Sequence, residues 1–107
     1  MNEETSYKLF NLVEQQPDIS QRELAKEMGI SLGKTNYCLK ALMNKGWLKA
    51  NNFKNSNNKI AYAYVLTPRG LREKAKITTL FLKHKVREYE LLKSEIKQLR
   101  QEVSESS

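Results

Sequence analysis

Residues 20–46 read SQRELAKEMGISLGKTNYCLKALMNKG, and two helix starts fall inside them. Ser20 stands three residues before Glu23, the spacing at which a serine hydroxyl caps the amide of the third helical residue and a glutamate answers it. The helix that starts at Gln21 can run only to about Met28, because Gly29 supplies the left-handed residue that closes a helix. Ser31 then caps the next one. Two helices therefore meet across a turn of about three residues. In the second of them Thr35, Cys38, Leu39 and Leu42 fall at i, i+3, i+4 and i+7 and are predicted to face a core, and the helix ends at Gly46.

Upstream, Glu3 to Gln15 carries Leu9, Phe10, Leu12 and Val13 at near-helical spacing before Gln16-Pro17-Asp18 breaks the pattern. Downstream the period changes from 3.6 to two. Trp47 to Phe53 and Ile60 to Leu66 read as strands, joined by the polar run Lys54-Asn55-Ser56-Asn57-Asn58-Lys59, so the pair is predicted to be a hairpin with an extended tip. Thr67-Pro68 caps and starts a last, long helix. The predicted fold class is mainly α with a small β-hairpin. It divides into a winged helix-turn-helix domain over 1–77, a coiled-coil dimerisation helix over 78–103 and a disordered tail over 104–107.

Charge narrows the function. The chain of 107 residues carries a formal net charge of +7, yet between Glu27 and Glu73 there is no acidic residue. Lys34, Lys40, Lys45, Lys49, Lys54, Lys59, Arg69 and Arg72 all lie in that interval. A sustained field of one sign attracts polyanions, and nucleic acid is the commonest of them. The outward face of the third helix presents Gly33, Asn36, Tyr37, Lys40 and Asn44 opposite the apolar set. A bare glycine lets a helix come close to a base-pair edge, and an Asn amide matches the paired donor and acceptor of adenine. Gly33, Asn36 and Tyr37 are the candidate base readers. Lys34, Lys40, Lys54, Asn57 and Lys59 are the candidates to hold phosphates from the helix and the wing.

These residues also carry a resemblance. Ser20 to Ser31, Leu39 to Leu48 and the closing Leu66-Thr67-Pro68-Arg69-Gly70 resemble the helix-turn-helix and post-wing segment of the multiple-antibiotic-resistance-regulator (MarR) family. Together these segments span residues 20–70. Within the family, the sequence most resembles a short subgroup associated with exopolysaccharide biosynthesis loci. The resemblance implies a winged-helix fold, dimeric binding to palindromic operators, and wing contacts in or beside the minor groove. Common members carry an aspartate and an arginine in the wing, whereas this chain reads Asn57-Asn58-Lys59 and lacks that internal salt bridge. It is also expected to lack the outer helices that build the usual dimer interface and phenolic-ligand pocket, so the resemblance carries no ligand over.

The last helix has a signal of its own. Leu82, Tyr89, Ile96 and Val103 recur every seven residues, with Leu92 and Leu99 between them and Lys85 as the one break, which is the seam of a coiled coil. A homodimer on double-stranded DNA, with an inverted-repeat site, is the expected assembly. The competing reading is a winged helix that docks another protein through its coiled coil.

The remaining classes are poorly supplied. Asp18 is the only aspartate, and no nucleophile-base pair or glycine-rich phosphate loop is visible, so an enzyme is not expected. One cysteine, Cys38, makes neither an internal disulfide nor a multi-thiolate metal site; it reads as a packing residue in a reducing compartment. His84 reads as a solvated residue and Trp47 as a core or hairpin anchor. No cofactor or metal is expected. With no run near the roughly 18 apolar residues of a membrane span, and an N-terminus, MNEETSYK, unlike a signal peptide, the expected compartment is the cytoplasm.

Overall fold

A computed structural model describes residues 2–54 and 60–106. The order of elements is α1 (Glu3–Gln15), α2 (Gln21–Met28), α3 (Leu32–Asn44), β1 (Leu48–Lys54), β2 (Ile60–Leu66) and α4 (Pro68–Ser106). The two strands pair antiparallel, with Leu48 opposite Leu66 and Lys54 opposite Ile60. The fold is therefore three helices and a hairpin, from which one long helix departs.

Local chemistry sets the helix boundaries. Ser20 Oγ accepts from the Glu23 amide at 3.1 Å, and Ser31 Oγ accepts from the Lys34 amide at the same distance. Gly29 closes α2 in the left-handed region at φ 68°, where its amide donates back to the Lys26 carbonyl. Ile19, just outside the α2 cap, and Leu24, one turn in, belong to the same core and fix the angle at which the chain enters the helix.

One core holds these elements together. Leu9, Phe10 and Val13 of α1, Leu24 of α2, and Leu39 and Leu42 of α3 are fully buried, and Leu48 and Tyr64 bring the hairpin onto them. Thr35 is buried as well, and its Oγ1 donates to the Ser31 carbonyl at 2.9 Å, so the hydroxyl is satisfied within its own helix. Cys38 is a buried free thiol of this core. Trp47 is half-buried, its ring 6.4 Å from that of Phe10.

Thr67 joins the end of α3 to the start of α4. Its Oγ1 donates to the Gly46 carbonyl at 2.6 Å and accepts from the Gly70 amide at 3.0 Å, while its own amide donates to the Trp47 carbonyl at 3.1 Å. Gly70 lies so close to that carbonyl that a Cβ would overlap the oxygen. The run Thr67-Pro68-Arg69-Gly70 is thus a cap, a helix start and a close backbone approach in four residues.

The first half of α4 packs on α1. Tyr7 stacks on Phe81 at 5.0 Å between centroids, and Lys74 Nζ reaches Glu14 Oε1 at 2.7 Å. Ile77 is the last buried residue of the helix, and from Leu82 onward every described residue is exposed. The helix continues without interruption to Ser106, so residues 104–106 are helical where a disordered tail was expected. Neither glycine nor proline interrupts this end, and Ser106 Oγ donates to the Val103 carbonyl at 3.0 Å. The expected division at residue 78 falls inside one continuous helix. Among the described residues, no helix is long and apolar enough to cross a membrane.

Candidate nucleic-acid interface

Helix α3 has a buried side and an open side. Thr35, Cys38, Leu39 and Leu42 are turned into the core, as their spacing predicts. Gly33, Asn36, Tyr37, Lys40, Ala41 and Asn44 line one shallow depression on the outer surface, of about 430 Å³. Tyr37 is 72% exposed, and Lys34 and Lys40 are exposed beside it. Nothing lies within 4 Å of where a Cβ on Gly33 would stand, so the start of this helix offers bare backbone to whatever approaches. The residues proposed to read bases and the two helix lysines proposed to hold phosphates are therefore on one accessible surface.

Asn36 is half-buried because it has a partner. Its Nδ2 donates to Gln21 Oε1 at 3.2 Å, and Gln21 Nε2 donates to the Tyr64 hydroxyl at 3.1 Å. Tyr64 is anchored in turn, 3% exposed, with its amide donating to the Pro17 carbonyl at 2.8 Å. A single chain of hydrogen bonds thus runs from the hairpin strand β2, through the first residue of α2, to the outer face of α3. An Asn amide has two N–H groups and one carbonyl oxygen. With one N–H held by Gln21, the Oδ1 and the second N–H remain to meet a donor-acceptor pair.

Gln21 and Tyr64 were not among the site residues expected from the sequence. In the sequence Tyr64 stands only within the strand read from Ile60 to Leu66, and Gln21 only at a helix start. Their contact spans 43 positions of chain, which no local pattern reports.

The wing is described in part. Lys54 ends β1, and Asn57 and Lys59 lie outside the described residues. The seam residues of α4 are exposed as a row: Leu82 61%, Tyr89 58%, Leu92 54%, Ile96 41%, Leu99 52% and Val103 68%. His84 is exposed but not alone, since its Nδ1 lies 2.8 Å from Glu3 Oε2, an ion pair when the imidazole is protonated. That oxygen has no hydrogen bond of good geometry, so the contact rests on proximity rather than alignment. No group of three or more His, Cys, Asp or Glu among the described residues could hold a metal ion.

Two helices across a tight left-handed turn, an open polar face on the second, and a hairpin packed behind it complete the arrangement. This is a winged helix-turn-helix. Residues 2–49 match the family described as winged helix-turn-helix DNA-binding. Among solved structures, the chain is similar to the adhesin competence repressor AdcR from Streptococcus pyogenes, with a TM-score of 0.65 and 21% identity over 84% of this chain and 65% of that one. It is similar to MepR of S. aureus, solved as a DNA complex, with a TM-score of 0.62 and 19% identity over 79% of this chain and 60% of that one. A MarR/EmrR family transcriptional regulator from Acinetobacter sp. ADP1 aligns with a TM-score of 0.58 and 20% identity over 94% of this chain and 75% of that one. The winged-helix fold is thus that of MarR-family structures. The chain spans less than two thirds of the length of the first two. A search of curated proteins found no match by sequence.

Proposed function

We propose that this chain is a sequence-specific, double-stranded-DNA-binding transcriptional regulator that acts as a homodimer on an inverted repeat. The observation that carries the reading is the open face of α3, where Gly33, Asn36 and Tyr37 share one depression with Lys40 and no acidic residue lies between Glu27 and Glu73. In this reading Asn36 and Tyr37 contact base edges in the major groove, and Gly33 permits the approach. Lys34 and Lys40 with the wing residues Lys54, Asn57 and Lys59 hold the backbone. The match of residues 2–49 to winged helix-turn-helix DNA-binding domains and the likeness to a MepR that is bound to DNA both support it. Resemblance to the exopolysaccharide-associated subgroup suggests that polysaccharide biosynthesis genes are the targets.

The homodimer is supported by α4. Six apolar side chains stand in water along one stripe, and burying each contributes about 1.5–3 kcal/mol. A second copy offers the same stripe in return.

Salt tests the reading. Each phosphate neutralised by a lysine releases nearly one counterion, so about four to eight contacts per dimer give a log-log slope of affinity against salt near −4 to −7. Fluorescence anisotropy of a labelled duplex titrated at several salt concentrations measures it. A slope near zero would falsify the DNA reading.

A further inference from the structure

The apolar stripe of α4 is flanked by charges whose order favours one orientation of its partner. With Leu82, Tyr89, Ile96 and Val103 at a and Leu92 and Leu99 at d, the g positions are Glu88, Glu95 and Glu102, and the e positions after Val86 are Lys93 and Arg100. All of these are exposed on an unbroken helix. In a parallel two-stranded coil each g residue faces the e residue five positions on in the other strand. In an antiparallel coil, g faces g and e faces e. Parallel pairing therefore sets Glu88 against Lys93 and Glu95 against Arg100, twice over by symmetry. Antiparallel pairing sets glutamate against glutamate and cation against cation.

From this pattern we infer that the exposed stripe of α4 is the seam of a parallel, in-register coiled coil with a second copy of this chain. The inference rests on the homodimer proposed above and adds its geometry. The apolar positions agree, since β-branched residues at a, here Ile96 and Val103, with leucine at d, here Leu92 and Leu99, favour two parallel strands. Lys85, at the intervening d position, is turned onto its own chain, with Nζ 3.3 Å from Glu88 Oε2 and 5.2 Å from the centre of the Phe81 ring. The break in the stripe therefore marks where the coil begins, and the seam proper runs from Tyr89. Because Glu88 already shares Lys85, the charge argument leans most on Glu95 with Arg100.

Orientation has a consequence for reach. Antiparallel helices crossing at Ile96 would hold the two Ile77 residues about 57 Å apart, at 1.5 Å per residue. A parallel coil brings both winged domains to the same end, on one two-fold axis, as adjacent half-sites about 34 Å apart require.

Two measurements test the orientation. Val103→Cys replaces an exposed residue outside the winged domain, and in a parallel coil it stands opposite itself. Oxidation with diamide is expected to link this variant into a disulfide dimer, whereas the unchanged chain, whose one cysteine is buried, gives none. A variant that sediments as a dimer without cross-linking overturns the parallel seam, and one that sediments as a monomer overturns the homodimer beneath it. In the second measurement, Glu88→Lys with Glu95→Lys is expected to weaken dimerisation about tenfold or more. Adding Lys93→Glu and Arg100→Glu restores it, because opposite charges again meet across the seam. An antiparallel coil crossing near Ile96 would instead set one of the new lysines against the retained Glu102 and gain an opposite-charge pair, so the absence of loss and rescue counts against the inference.

Discussion

Asn36 donates a hydrogen bond from Nδ2 to Gln21 Oε1 across the helix-turn-helix, at 3.2 Å. This bond fixes which way the amide of Asn36 is turned, and with it the donor and acceptor that a base would meet. Gln21→Ala leaves the core residues in place, so the expected loss is one of discrimination. Asn36→Ala is expected to cost about 1–3 kcal/mol of preference for the best duplex over its single-base variants, and Gln21→Ala a smaller share of the same preference. Competition binding against a panel of single-base variants measures both. Equal preference in Gln21→Ala and the unchanged chain would detach the bond from recognition.

Phosphate contacts carry affinity without sequence information. Lys34→Ala, Lys40→Ala and the wing pair Lys54→Ala with Lys59→Ala are therefore expected to weaken every duplex about equally and to lower the salt slope of the dimer by about two per substituted position, about one for each copy. Tyr37→Ala, by contrast, is expected to relax preference. If the lysine changes altered preference and the helix changes did not, the roles of reader and holder would be exchanged.

Gly70 is a packing constraint rather than a flexible point. Its missing side chain lets α4 start against the Trp47 carbonyl, where a Cβ would overlap backbone oxygen that cannot swing away. Gly70→Ala is expected to destabilise the domain by about 1–3 kcal/mol through overpacking, against the small gain that alanine gives in an open helix. Thr67→Val, which removes a hydroxyl bonded at both ends, is expected to cost about 1–3 kcal/mol by leaving the Gly46 carbonyl and the Gly70 amide short of a partner. Urea unfolding followed by circular dichroism reads both, and a Gly70→Ala chain as stable as the parent would contradict the packing account.

Leu92→Asp with Leu99→Asp places two carboxylates in the α4 stripe, away from the core of the winged domain. The double variant is expected to sediment as a folded monomer and to bind duplex DNA more weakly, since each half-site must then be engaged separately. A species still dimeric, with affinity intact, would place the interface elsewhere on the chain.

The parts of this architecture that were legible in the sequence are those governed by local rules. Ser20, Gly29 and Ser31 mark helix ends because capping and left-handed closure act within a few residues, and Thr35, Cys38, Leu39 and Leu42 declare their buried face by period alone. The two strands lie where the change of period put them, the second over Ile60–Leu66 as expected and the first over Leu48–Lys54, one residue later than expected. What the sequence did not disclose depends on distance through space. Gln21 and Tyr64 meet only after the hairpin has folded over the α1–α2 corner, and His84 meets Glu3 only because α1 and α4 lie side by side. The helical end of α4 was missed for another reason. By composition residues 104–107 read as a polar tail, yet a helix already running through Val103 needs no new nucleus to extend to Ser106.

The central claim is that α3 reads base sequence in duplex DNA, and selection of bound duplexes from a random pool tests it most directly. Repeated rounds with the full chain are expected to enrich an inverted repeat, its half-site centres about 10 base pairs apart or a multiple of that. The same selection with Asn36→Ala is expected to flatten the motif at specific positions. A pool that stays random through every round, while the protein remains folded and dimeric, would contradict the account.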